Sequence, residues 1–215
     1  MKRWSMFCVG LSFVIMLGAA NAHALIYRGV DFPDGDVSFA DAVFSYTPGA
    51  NAVAPYNANP AGALGEPDWE QTSDADKQVA LGNGGELIVQ FLDNALTTSG
   101  DNSLDLWIFE IGAAVEPTSV AISTDANSWI EVGNIGGATS GIDIDAFIGS
   151  GIELWEQFRY VKLTDLNAGY SGYPYGGADI DAVGAISSVP EPGTVLLLGV
   201  GLVGIAGFRR RTHTE

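Results

Sequence analysis

The chain has 215 residues, with 9 basic and 26 acidic side chains, one Cys, two His and three Met. All of those rare residues lie at the ends: Met1, Met6, Cys8, Met16 and His23 at the front, His213 at the back. Residues 25–188 therefore exclude a disulfide, a Cys/His zinc site, a Ser-His-Asp triad and a Cys-His dyad. In that stretch Arg28, Lys77, Arg159 and Lys162 face 24 acids, a net charge of −20. So acidic a surface repels nucleic acid and anionic headgroups, and leaves divalent cations and neutral molecules as partners.

In chain order, Lys2 and Arg3 precede an apolar run at 6–17 (MFCVGLSFVIML) and then the small residues Gly18, Ala19, Ala20, Ala22 and Ala24. A positive start, a short apolar segment and alanines at −3 and −1 define a secretory signal peptide, assigned to residues 1–24. Cleavage after Ala24 fits best, with Ala22 as the other site. Cys8 leaves with the signal.

Residues 25–188 form one domain. No apolar period of 3.6 residues persists there over three turns; short apolar runs alternate with Gly, Asn, Asp and Pro. The spacing predicts strands at 37–46, 78–81, 86–91, 104–111, 119–123, 129–132, 142–147, 158–163 and 182–186, and a helical turn near 152–157. Gly82-Asn83-Gly84-Gly85 is a turn signal before the 86–91 strand. Asp125 and Asn127 suit a hairpin between 120–123 and 129–132, with Ala126 where such a turn commonly has glycine. Between the 37–46 and 78–81 strands, residues 46–72 make a long loop with four prolines; Tyr56 and Trp69 argue for its being ordered. Eight or nine short antiparallel strands predict an all-β, jelly-roll-like β-sandwich.

At the C-terminus, residues 189–215 begin with Val189-Pro190-Glu191-Pro192. A 16-residue apolar run at 193–208 follows, then Arg209-Arg210-Arg211. As a helix this run spans about 24 Å, slightly short for a bilayer. The arginines would hold its end in the cytoplasm. An N-terminal signal helix and a C-terminal apolar helix thus flank the sandwich.

This ordered tail closely resembles the PEP-CTERM sorting signal of Gram-negative bacteria. The resemblance implies a precursor held in the membrane by its C-terminal helix. It also implies recognition by an exosortase-type transpeptidase, cleavage near Pro190 to Pro192, and export to the cell surface or an extracellular, biofilm-type matrix. Further segments resemble secreted discoidin-type, galactose-binding-like β-sandwich domains: 63–68 (ALGEPD), 81–91 (LGNGGELIVQF), 105–110 (DLWIFE), 123–129 (STDANSW), 159–165 (RYVKLTD) and 177–183 (GADIDAV). That resemblance implies a fold and an extracellular binding or structural role, not a ligand.

Acids are in excess, so they are the first site candidates. Asp143/Asp145 and Asp179/Asp181 each place two carboxylates on one face of a strand. Such pairs cost free energy unless a cation offsets them, and basic side chains are scarce. Calcium, which takes 6–8 oxygen ligands, is therefore the candidate cofactor, with Asp179, Asp181, Asp105 and Glu110 as its first candidate ligands. A solvated acidic surface is the plainer alternative.

Aromatics in loops could stack on sugar: Trp69, Tyr56, Trp155, and Tyr173 and Tyr175 in the segment 170–177. Trp107 and Trp129 fall in strand patterns and are expected in the core. The combined expectation is a non-catalytic, surface-sorted protein that binds extracellular polysaccharide, after passage through the secretion machinery. A purely structural acidic matrix component is the first alternative. A glycan-active enzyme using a carboxylate pair is the second.

Overall fold

The computed structural model describes residues 24–70, 75–111, 115–169, 172–173, 176–186 and 201. The expected signal helix, most of the apolar run at 193–208, and Val189, Pro190, Glu191, Pro192, Arg209, Arg210 and Arg211 lie outside them. No helix among the described residues is long and apolar enough to cross a membrane.

Between residues 24 and 186 the described regular structure is strand or short 3-10 turn. The strands are β1 (Leu25–Tyr27), β2 (Val30–Phe32), β3 (Ala42–Thr47), β4 (Val79–Ala80), β5 (Glu86–Gln90) and β6 (Leu106–Glu110). They continue with β7 (Thr118–Ser123), β8 (Ile130–Ile135), β9 (Thr139–Ile142), β10 (Tyr160–Asp165) and β11 (Asp179–Ala185). A five-stranded sheet of order β3-β5-β10-β7-β8 faces a four-stranded sheet of order β4-β11-β6-β9. Every strand pairing is antiparallel. From β3 onward the chain switches sheets at each step except β7 to β8, which form a hairpin.

Alternation explains the core. On β10, Val161, Leu163 and Asp165 are buried while their neighbours are half-buried. Leu87 and Val89 of β5, Val120 and Ile122 of β7, Leu106 and Ile108 of β6, and Val183 and Ala185 of β11 join Val161 and Leu163 in one apolar layer. Burying such side chains contributes roughly 1.5–3 kcal/mol each. Opposite faces of the same strands build a second cluster: Phe109 of β6 and Ala182 of β11 meet Phe32 and Phe39, with Trp107 packed against them. Phe32 and Phe39 lie 4.7 Å apart, centroid to centroid. The hairpin β1–β2, which brings Val30 and Phe32 to this cluster, thus covers the outer face of the four-stranded sheet. Gly184 makes room for it, since a Cβ there would sit 2.8 Å from Phe32 and 3.0 Å from Phe39.

Most expected strands are present, with shifted ends. The predicted strand 37–46 is a 3-10 turn at Gly35–Ser38 followed by β3. The predicted strand 142–147 ends at Ile142 and becomes a 3-10 turn, Ile144–Phe147, because the Asp143 carboxylate accepts from the Asp145 N–H at 2.9 Å and curls the backbone. No helix forms at 152–157; the Glu156 N–H reaches the Glu153 carbonyl at 3.1 Å in a single turn. Hairpin β1–β2 has no counterpart in the sequence reading, because three-residue strands are too short to show a period. Its turn uses positive φ at Arg28 (49°) and Gly29 (85°). In the β7–β8 connection Ala126 takes φ 59°, while Asp125 accepts from the N–H groups of Asn127 and Ser128, each at 2.8 Å. Trp107 and Trp129 are half-buried rather than fully in the core: Trp107 lies on the outer face of β6, and the Lys162 ammonium sits 4.7 Å above the Trp129 ring.

Candidate functional site

β11 decides where its two acids go. Its register against β6 slips between Ile180 and Ala182, making Asp181 the extra residue of a bulge. A bulge bends a strand and re-aims a side chain, and Asp179 and Asp181 acquire different partners.

Asp181 is buried and faces the long loop. One oxygen accepts from the N–H groups of Asp68 and Trp69, each at 3.2 Å, and the other lies 3.5 Å from the Arg28 guanidinium. Arg28 also donates to the Trp69 carbonyl. Burial pushes Asp181 up to about 6; the two N–H groups and Arg28 act in the opposite sense. This carboxylate ties the hairpin turn and the 46–72 loop to the sheet. Trp69 and Tyr56 are half-buried within that arrangement, and the Tyr56 carbonyl accepts from the Ala80 N–H at 2.9 Å.

Asp179 instead joins Glu110 and Glu116. Glu110, opposite Ile180 on β6, accepts from the Glu116 N–H at 3.0 Å and leaves its other oxygen buried without a hydrogen bond. Burial pushes Glu110 up to about 8, and the Glu116 and Asp179 carboxyls push the same way. Asp179 is pushed up to about 7, by burial first and then by Glu116. For Glu110 and Asp179, burial and neighbouring carboxyls both favour the protonated form.

Asp105 belongs to a third group. It precedes β6 and is 1% exposed. One of its oxygens takes the Ile144 N–H at 3.0 Å; the other is buried with no hydrogen bond. Asp105, Asp143 and Asp145 each bring a carboxylate oxygen to within 4.8 Å of the others. Asp145 is held by the Ser99 N–H at 2.8 Å and the Gly100 N–H at 3.1 Å. Burial pushes Asp105 up to about 6; the Ile144 N–H and the Ser99 side chain act in the opposite sense, and the charges of Asp145 and Asp143 add to the rise. The four sequence-predicted calcium ligands thus fall into three groups. Asp143 and Asp145 stand beside Asp105 only because the turn after β9 packs under the start of β6. The Asp-x-Asp spacing hinted at that pair, but no sequence signal joined it to Asp105.

Asp165, which the sequence reading did not single out, is structural: its carboxylate accepts from Gly84, Asn167 and Ala178 N–H groups at 2.9, 2.8 and 3.2 Å. Among the aromatic candidates, Tyr173 is 71% and Trp155 56% exposed. Tyr175 lies outside the described residues. Trp155 takes φ 65°, its N–H donates to the Thr98 hydroxyl at 3.0 Å, and its ring runs beside Gly100. Left-handed backbone is unusual and costly for a bulky residue.

The described fold is therefore an all-β sandwich carrying three buried acid groups and exposed loop aromatics. Residues 188–211 match the PEP-CTERM protein-sorting motif. That motif marks an exported protein, anchored in the membrane before processing and recognised by exosortase-type processing. None of the curated proteins matches the chain. Among solved structures the chain is similar to the C-terminal domain of a chitobiase from Bacteroides fragilis, at 12% identity and a TM-score of 0.41, over 73% of this chain and 98% of that one.

Proposed function

We propose that this is a surface-sorted, jelly-roll-like binding module of a Gram-negative cell envelope or extracellular matrix, and that its ligand is polysaccharide. The observation that carries the reading is Trp155: a half-exposed indole held on left-handed backbone, at a cost that core packing does not explain. An open aromatic face suits a sugar ring, because apolar C–H groups lie against it while hydroxyls stay in water. Tyr173 offers a second exposed ring. A neutral ligand also suits a domain with a net charge of −20.

Binding without turnover fits better than hydrolysis. Glu110 and Asp179 are the acids with the most raised pKa values, but Glu110 is 3% exposed. A glycosidase needs its acid pair on either side of a scissile bond.

The test is a glycan array followed by titration with the secreted chain, its Trp155→Ala variant and its Tyr173→Ala variant. Retention of a neutral or weakly charged polysaccharide, weakened about tenfold or more by Trp155→Ala, is expected; a lost aromatic contact of about 1.4 kcal/mol gives that factor. Binding equal in all three proteins, or none at millimolar sugar, would overturn the reading.

A further inference from the structure

We propose that Asp105, Asp143 and Asp145 hold a calcium ion that pins the 97–105 segment to the 3-10 turn after β9. This inference stands apart from the sugar reading and does not depend on it.

Its first support is the orphaned oxygen of Asp105. The residue is 1% exposed, and one carboxylate oxygen has no hydrogen bond. A buried charged oxygen without a partner is costly. A cation shared with Asp143 and Asp145 removes that cost and offsets three carboxylates at once.

The protein's own cations are engaged elsewhere. Arg28 pairs with Asp181 and Lys77 with Asp68, at 3.5 and 3.3 Å. Arg159 donates to the carbonyls of Leu92 and Asn94, and Lys162 lies over Trp129. Among the described residues, none of the four forms an ion pair with the three acids.

Coordination habit favours calcium. Three carboxylate oxygens within 4.8 Å of one another suit an ion that takes 6–8 oxygens in a flexible shell. Magnesium demands near-ideal octahedral geometry and gives up its waters reluctantly, so a site built from protein oxygens suits it less. The all-oxygen donor set is that of a hard cation. Three carboxylates are few for calcium, so carbonyl oxygens and water must complete the shell. That implies a weak site, with a Kd on the order of 0.1–1 mM, as in extracellular modules.

The carboxylates are also pre-oriented. Ser99 and Gly100 hold Asp145, the Asp145 N–H holds Asp143, and the Ile144 N–H holds Asp105. Each uses only part of its oxygen lone pairs in these bonds. An ion here would also steady Thr98, whose hydroxyl accepts from the Trp155 N–H.

The experiment is calorimetric titration of the EDTA-treated secreted chain with CaCl2 and then MgCl2, paired with melts at each concentration. Saturable calcium binding and a rise in Tm of several degrees by 10 mM CaCl2 are expected, with a smaller response to magnesium. Asp143→Asn alone, and Asp143→Asn with Asp145→Asn, should weaken calcium binding about tenfold or more. Both leave the buried Asp105 in place, so folding is not at risk through it. Glu110→Gln, in a different acid group, should bind as the unchanged chain does. No calcium heat and no Tm shift by 10 mM would overturn the proposal. Unaltered calcium affinity in the Asp143/Asp145 double variant would also overturn it.

Discussion

Glu110 and Asp179 should make the stability of this protein fall as pH rises through the neutral range. Their ordinary values are 4.5 and 3.8; in the fold they are pushed up to about 8 and about 7. A folded-state pKa above the unfolded one means that folding retains a proton. The stabilisation is complete below the unfolded pKa and is lost as pH rises through the folded one, here from about 4 to about 8. One retained proton changes stability by about 1.4 kcal/mol per pH unit. If the two carboxyls titrate as one unit, going from pH 5 to pH 7 costs roughly 3 kcal/mol. At roughly 2–4 °C per kcal/mol for a domain of this size, Tm falls by about 6–12 °C. Asp105 and Asp181, each pushed up to about 6, titrate in the same window. The informative quantity is therefore the difference between the unchanged chain and Glu110→Gln with Asp179→Asn. The amides preserve volume, and Gln at 110 can still accept from the Glu116 N–H. Melts from pH 5 to 8, at constant ionic strength with EDTA present, should show a steep slope for the unchanged chain and a shallower one for the variant. Parallel curves would refute the argument that burial and mutual repulsion keep a proton on this group.

Three further outcomes are expected. Gly184→Val should lower stability by about 1–3 kcal/mol through overpacking, because even its Cβ would sit 2.8 Å from Phe32; an unchanged denaturation midpoint would contradict the packing of hairpin β1–β2 on the sheet. Ala126→Gly should raise stability by about 0.5–1 kcal/mol, since φ 59° costs an L-residue about 1–2 kcal/mol and glycine gives back only part of that in entropy; a lower Tm would argue against the left-handed turn. Asp181→Ala should cost about 1–3 kcal/mol and speed proteolysis within residues 46–72, because the N–H groups of Asp68 and Trp69 lose their acceptor; an unchanged cleavage pattern would show that the loop is held by other contacts.

Much of this molecule was written in its order of residues. Absence of Cys and His between 25 and 188 is a fact of composition, and so is the charge of −20. The sorting motif is a linear signal read by another protein, so it needs no fold to be recognised. Strands β5, β6, β7 and β10 are visible because a short apolar run bounded by turn residues is a local signal. What the sequence leaves open is everything carried by a slip of register or a distant contact. Asp179 and Asp181 sit two apart and read as one pair, yet one bulged residue in β11 separates them. Asp105 and Asp145 are forty residues apart in sequence, and only the pairing of β6 with β9 brings their carboxylates together. Burial, which sets the pKa of each acid, is a property of the packed sandwich. Composition therefore narrowed the candidate chemistry of this domain to oxygen ligands and aromatic faces, and tertiary structure decided which of 24 acids are forced to share a space.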